Sequence, residues 1–360
     1  MHRFVAPLVA LVAGFGCKSP DDPNADTGGS ESEASSSDDA SGSESATETA
    51  TETGDPPACP GQTPAELMDC VDPARHLEDL EFVSDVRTPG SPHWQEVQDL
   101  CADRLTELGY EVTLQAYATG VNVVGVRPGT DLADEHVIVG AHYDHIPACS
   151  GADDNGSGVA ATLELARILA DIPTPRTLMI TCWDEEELGL IGSAAQAQLA
   201  LDDGLAITGV FSLDSIGYAS DQPDSQTVPA GFDLLFPDEY AELEANQFRG
   251  DFLLWVSDDT MTEVGASLDG FADQLGLRTI GTALSDDLKL SPLLSDLRRS
   301  DHASFWDLDI PAMFFNDTGE FRYSAYHCGD GDDSVDKVNL EFAITVNRIA
   351  VATAAVALGM

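Results

Sequence analysis

The 360-residue chain carries 64 acidic against 16 basic residues, a formal charge of -48, and 43% of it is hydrophobic. That apolar content is ample for a buried core, whereas the charge repels nucleic-acid phosphates and anionic lipid surfaces. Nucleic-acid binding is therefore excluded as a function class, and the acidic surface is read as a solubility feature.

The chain opens with Met1-His2-Arg3 and an apolar run from Phe4 to Phe15. A basic start followed by such a run fits a secretory signal and is too short to span a membrane. Cys17 stands where a bacterial lipoprotein signal is cleaved and its cysteine acylated, although Phe15 is larger than the small residue usual two places earlier. The expectation is a lipoprotein-type signal peptide over 1–17, with membrane contact only through lipidated Cys17 and simple secretion as the alternative. Residues 18–58 contain eleven Asp or Glu, one Lys, no aromatic residue and no aliphatic one larger than alanine. Such a segment buries too little apolar area to offset its ordering entropy, so it reads as a disordered acidic linker.

Export removes the glutathione buffer, so Cys59, Cys70, Cys101, Cys149, Cys182 and Cys328 can pair, in any of 15 connectivities. Cys182, inside an apolar strand pattern, is also a candidate free buried thiol.

A folded domain is expected over 59–360. Residues 91–109 have amphipathic helical spacing stopped by Gly109, and Glu111 to Tyr117 and Asn122 to Val126 alternate as strands. Val137 to Ala141, Thr177 to Trp183 and Ile207 to Leu213 are apolar at nearly every position, which suits strands covered on both faces by helices. Helices are expected at Gly158 to Ala170, Ile191 to Leu201, Thr260 to Leu275 and Leu340 to Ala355, with a strand at Pro311 to Asn316. The fold class is α/β, a three-layer α/β/α domain with a central mixed sheet. Residues 217–256 break the rhythm and read as an insertion.

Each of the three apolar runs leads at once into chemistry-bearing side chains: His142-Tyr143-Asp144, then Asp184-Glu185-Glu186-Glu187, then Asp214. In an open α/β sheet, groups beyond the carboxyl ends of the strands converge on one crevice. So many carboxylates together repel one another unless a cation is present. Imidazole with carboxylate suits zinc, with manganese or cobalt as alternatives. The spacing His142-x-Asp144 lets Asp144 hold the ring nitrogen that faces away from a metal. In Gly151-Ala152-Asp153-Asp154-Asn155-Gly156-Ser157-Gly158 the glycines let the backbone bend around an ion, and Asn155 or Ser157 can cap the helix that follows.

The ordered set of His142-x-Asp144, GADDNGSG at 151–158, Glu186-Glu187-x-Gly189-Leu190-x-Gly192-Ser193, Asp214, Ser300-Asp301-His302-x-x-Phe305 and Tyr326-His327 resembles the co-catalytic dizinc aminopeptidases of metallopeptidase family 28, clan MH. Glutamate carboxypeptidase and glutaminyl cyclase branches belong to the same family. The resemblance implies a zinc-exopeptidase fold, peptide substrates and two zinc ions: His142 and Asp214 on one, Glu187 and His327 on the other, Asp153 bridging. It implies Glu186 as general base and Tyr326 as donor to the oxyanion. His327 is preferred to His302 as the last ligand, which leaves His302 to pocket structure and Asp301 to supporting the ligands. His76, His93, His136 and His145 are read as structural or solvent-facing. Cys149 lacks a base partner, so a disulfide is expected there, with Cys328 a candidate partner because both flank metal residues. The alternatives are a carboxypeptidase, another dizinc hydrolase, or an inactive binding ectodomain.

Overall fold

The computed structural model describes residues 59–360; the expected signal peptide, Cys17 and the linker of 18–58 lie outside the described residues. Eight strands form one mixed sheet in the order β1-β2-β4-β3-β5-β8-β6-β7. They are β1 (Glu111–Ala116), β2 (Val121–Arg127), β3 (Leu132–His142), β4 (Arg176–Trp183), β5 (Ala206–Leu213), β6 (Phe252–Asp258), β7 (Arg278–Leu284) and β8 (Ala312–Asn316). β3 pairs in parallel with β4 and β5, and β5 with β8. These four central strands therefore end at one edge of the sheet, and the residues that follow them meet there. The flanks are antiparallel: β1 on β2, β2 on β4, and β6 on β8.

Helices cover both faces because the central strands are apolar on both. Val137, Val139 and Ala141 of β3 point into one core, with Val97, Leu105, Leu165 and Val351. That face carries α2 (Pro73–Val83), α3 (Pro92–Glu107), α4 (Gly158–Leu169), α8 (Thr262–Leu275) and α11 (Leu340–Ala357), with the short α1 (Pro64–Leu67) beside α11. Ile138, between those strand residues, points into the opposite core with Trp183, Ala197, Val210 and Phe305, under α5 (Ile191–Asp203) and α10 (His302–Trp306). This alternation is the period-two geometry of a strand. α11 is apolar enough by composition to cross a membrane, but 67% of it is buried in the first core.

Local signals explain the boundaries. The Ser91 side chain accepts the Trp94 N–H at the start of α3, with Pro92 at the first helical position, and Gly109 follows the helix at φ 80°. The segment read as an insertion, 217–256, holds α6 (Phe232–Leu235) and α7 (Pro237–Ala245), but its last residues are already β6, a strand of the main sheet. Strand β7 and the four-residue α9 (Asp286–Lys289) have no counterpart in the sequence reading.

The disulfides are Cys59–Cys70, Cys101–Cys182 and Cys149–Cys328. Of the two alternatives at Cys182, pairing and a free buried thiol, the structure has the pair. Cys101 of α3 meets Cys182 of β4 inside the first core, and apolar surroundings suit a buried bridge as well as a buried thiol.

His76 of α2 is fully buried, and its Nδ1 lies 3.2 Å from the Nδ2 of Asn347 on α11. Burial pushes the imidazole down to about 4. The unfolded chain then binds a proton near pH 6.5 that the folded chain refuses until about pH 4, so stability falls with pH across that window. The expected loss is roughly 3 kcal/mol. Denaturant unfolding between pH 7 and pH 4 should show a shallower loss in His76→Gln than in the wild type; equal slopes would assign the acid sensitivity elsewhere.

Candidate metal centre

The site forms where β3, β4, β5 and β8 end. His142 is the last residue of β3 and is buried. Its Nδ1 lies 3.3 Å from the Asp144 carbonyl and 3.5 Å from the Asp144 carboxylate, which leaves Nε2 facing the pocket. The same Asp144 carboxylate accepts the backbone N–H of Glu186 at 3.0 Å and of Glu187 at 3.3 Å. Asp144 therefore couples the end of β3 to the loop after β4. That loop is held on its far side by Asp184, whose carboxylate accepts from Trp94 Nε1 at 2.8 Å and from the Val121 N–H at 3.0 Å. It packs so closely that a Cβ on Gly192 would lie 2.2 Å from the Asp184 carbonyl oxygen, which explains the glycine.

The loop before α4 supplies the central group. Asp154 has extended backbone, φ -104° and ψ 97°, so consecutive side chains leave on opposite sides. Asp154 turns into the pocket. Its Oδ1 lies 3.2 Å from His142 Nε2, and its Oδ2 lies 3.0 Å from His327 Nε2. Asp214, just past β5, approaches His142 Nε2 at 3.6 Å, and Glu187 Oε2 approaches His327 Nε2 at 3.2 Å. One carboxylate thus stands between two ligand pairs. Asn155 accepts the Gly158 N–H at 3.0 Å and caps α4, as its position suggests.

Asp153, the residue expected to bridge, points away. Its Oδ1 accepts the Gly217 N–H at 2.7 Å. Burial, with Asp317 and Asp333 close by, pushes its carboxyl well above the usual range. Burial also opposes a charge on Asp154, but the imidazoles of His142 and His327 beside it outweigh that and hold its carboxyl well below the usual range. The two neighbours face opposite ways, and the place between His142 and His327 belongs to Asp154, not Asp153.

The donor set fits divalent metal. The ligand atoms of His142, Asp154 and Asp214 lie within 4.8 Å of one another, as do those of His145, Asp154 and Glu187. Among the described residues, His142 Nε2 and Glu187 Oε1 are buried without a hydrogen-bond partner, a costly arrangement that coordination would relieve.

The sequence profile described as Peptidase family M28 matches residues 122–354. The chain belongs to peptidase family M28. YfbL of Escherichia coli K12 is 30% identical over 226 residues, 57% of this chain and 62% of that protein. Aminopeptidase YwaD of Bacillus subtilis is 34% identical over 113 residues, 30% of this chain and 25% of that protein. The chain thus spans less than two thirds of the length of these curated relatives. The LapA aminopeptidase structure from Legionella pneumophila superposes with a TM-score of 0.61 at 19% identity, over 81% of this chain and 73% of that one, which establishes a shared fold.

In this M28 chain the remaining expected residues lie around the ligand groups. Asp301 is fully buried, and neither carboxylate oxygen has a hydrogen-bond partner among the described residues; burial raises its carboxyl to about 7, with the field of His142 opposing. His302 is in the packing: its Nε2 lies 2.9 Å from the Leu297 carbonyl, and its ring stacks on Phe314 at 4.4 Å. Tyr326 stacks on His327 at 4.1 Å and lines a neighbouring cleft. That cleft encloses about 740 Å³ including its mouth and runs from Asp214 and Tyr326 into Phe232, Leu243, Leu254, Ile280 and Phe314. Arg299 at its rim pairs with Glu320.

His145 departs from the sequence reading. It is buried in the pocket, with Nδ1 2.7 Å from Glu187 Oε1 but out of hydrogen-bonding alignment. Its spacing four residues before Cys149 carries no signal of this, whereas its place three residues after His142 does. Asp333 was missed as well: it receives backbone N–H groups of Asp153 and Asp154 from 179 or more residues away in sequence, which no local pattern records.

Proposed function

We propose that this M28 chain is an exported two-zinc aminopeptidase that removes amino-terminal residues from peptides. The observation that carries the reading is the Asp154 carboxylate, one oxygen toward His142 and the other toward His327. His142 and Asp214 would hold one ion, Glu187 and His327 the other, with Asp154 shared. When bound, two zinc ions supply Lewis acidity for the scissile carbonyl and acidify water at neutral pH.

The rest of the chemistry belongs to the chain. Glu186 is the general base. Burial raises its carboxyl well above the usual range, with the Asp214, Asp301 and Glu187 carboxylates adding to the effect and His142 opposing it. A carboxylate so placed takes a proton from water and returns it to the leaving amine near neutral pH. Asp144 fixes the His142 ring and the backbone of both glutamates. Tyr326 stays a phenol, because burial and the Asp154 carboxylate raise its pKa, so it can donate to the oxyanion.

The carboxylate-rich pocket favours a cationic amino terminus over a carboxylate. Among the described residues lining the cleft the one cation is Arg299, which is already paired with Glu320. The apolar cleft suits a large apolar side chain on the residue removed. Three disulfides among the described residues support an oxidising compartment, in line with a signal over 1–17, lipid attachment at Cys17 and an acidic spacer.

A panel of peptides tests this. Substrates with amino-terminal leucine or phenylalanine should exceed the glycine analogue in kcat/KM by at least about tenfold, the discrimination an apolar pocket achieves. Amino-terminal acetylation should abolish turnover. Release of carboxy-terminal residues instead, or indifference to acetylation, would overturn the aminopeptidase reading.

A further inference from the structure

Asp154 and His327 come from loops far apart in sequence, and three features zip those loops together. Cys149 is bonded to Cys328, the residue next to His327. Ser150 gives its N–H and its hydroxyl to Asp332 at 3.0 and 2.7 Å. Asp333, fully buried, accepts the backbone N–H of Asp153 at 3.0 Å and of Asp154 at 3.0 Å, while its carbonyl accepts that of Ala152 at 2.9 Å. Tyr323 donates its hydroxyl to the Asp333 carboxylate at 3.0 Å, and the Asp333 N–H points to Cys328 Sγ at 3.3 Å. His327 and Cys328 both have left-handed backbone, φ 50° and 55°. Side-chain-bearing residues keep such a conformation only where their surroundings over-determine it.

We propose that Asp333 and the Cys149–Cys328 disulfide are positioning groups for the metal pocket: they hold the loop carrying Asp154 against the loop carrying His327, so that opening either one releases metal from a chain that is still folded. The inference rests on the reading that Asp154 and His327 bind metal. Neither Asp333 nor the cysteines touch the ions. They act by fixing the distance between two ligands, as partners of ligands do.

The test uses the full chain loaded with zinc, with dissociation constants from competition by a chelator and thermal unfolding of the metal-free forms. Asp333→Asn and the double variant Cys149→Ser/Cys328→Ser should each weaken at least one zinc by about 10- to 100-fold. The control Cys59→Ser/Cys70→Ser should lower Tm without changing zinc affinity. If the double variant does not fold, a non-thiol reductant on the wild-type holoenzyme replaces it; zinc release ahead of the loss of ellipticity supports the proposal, and simultaneous loss overturns it. Zinc affinity within twofold of wild type in the clasp variants also overturns it. A wild type that binds no zinc overturns the metal reading itself, whereas two tightly bound zinc ions with insensitive variants overturn the clasp alone.

Discussion

Glu186→Gln is expected to lower kcat by about 10²- to 10⁴-fold, the range that general acid and base groups contribute, with little change in KM. The amide is nearly isosteric with the carboxylate but cannot take a proton from water. Glu186 belongs to neither set of convergent ligand atoms, so zinc content and fold should persist. Its neighbour behaves differently. Glu187 Oε2 lies 3.2 Å from His327 Nε2, so Glu187→Gln should lose the ion on the His327 side and, with it, thermal stability. Steady-state kinetics on an amino-terminal leucyl peptide, with elemental analysis of the same samples, separates the two. If Glu186→Gln sheds zinc while Glu187→Gln keeps it, the roles must be exchanged; if neither changes hydrolysis, the peptidase reading fails.

Much of the architecture was legible because one pattern repeats. An apolar run followed at once by His or acid marks β3, β4 and β5, and the sheet brings their ends together. β6 has the same pattern, Phe-Leu-Leu-Trp-Val-Ser-Asp, but follows the short acidic helix α7, so the sequence pattern merges its start with the insertion. β7 is an edge strand reading Arg-Thr-Ile-Gly-Thr-Ala-Leu, and it buries only Ile280 and Leu284, so its apolar run is weak. In the site, residue types were legible but direction was not. Asp153 and Asp154 are chemically identical neighbours; which one enters the pocket depends on the extended backbone at Asp154 and on Asp333 receiving the loop from a distant turn. The sequence places His145 among structural or solvent-facing histidines for a similar reason, since its position in the pocket follows from where Glu187 turns Oε1.

The second large effect follows from that direction. Asp154→Asn should reduce bound zinc from two ions to one or none, because an amide offers one oxygen where two ions need two. The accompanying fall in kcat should reach at least about 10²- to 10³-fold, as when a principal electrostatic group is removed from an active site. Asp153→Asn should keep both ions and most of the rate. Burial, with Asp317 close by, already raises its carboxyl well above the usual range, and the amide oxygen can still accept the Gly217 N–H. The measurement closest to the central claim is therefore zinc per chain, by elemental analysis after exhaustive dialysis, in the wild type and these two variants. The expectation is two zinc ions in the wild type, two in Asp153→Asn, and one or none in Asp154→Asn. Fewer than two in the wild type, or loss in Asp153→Asn with retention in Asp154→Asn, would contradict it.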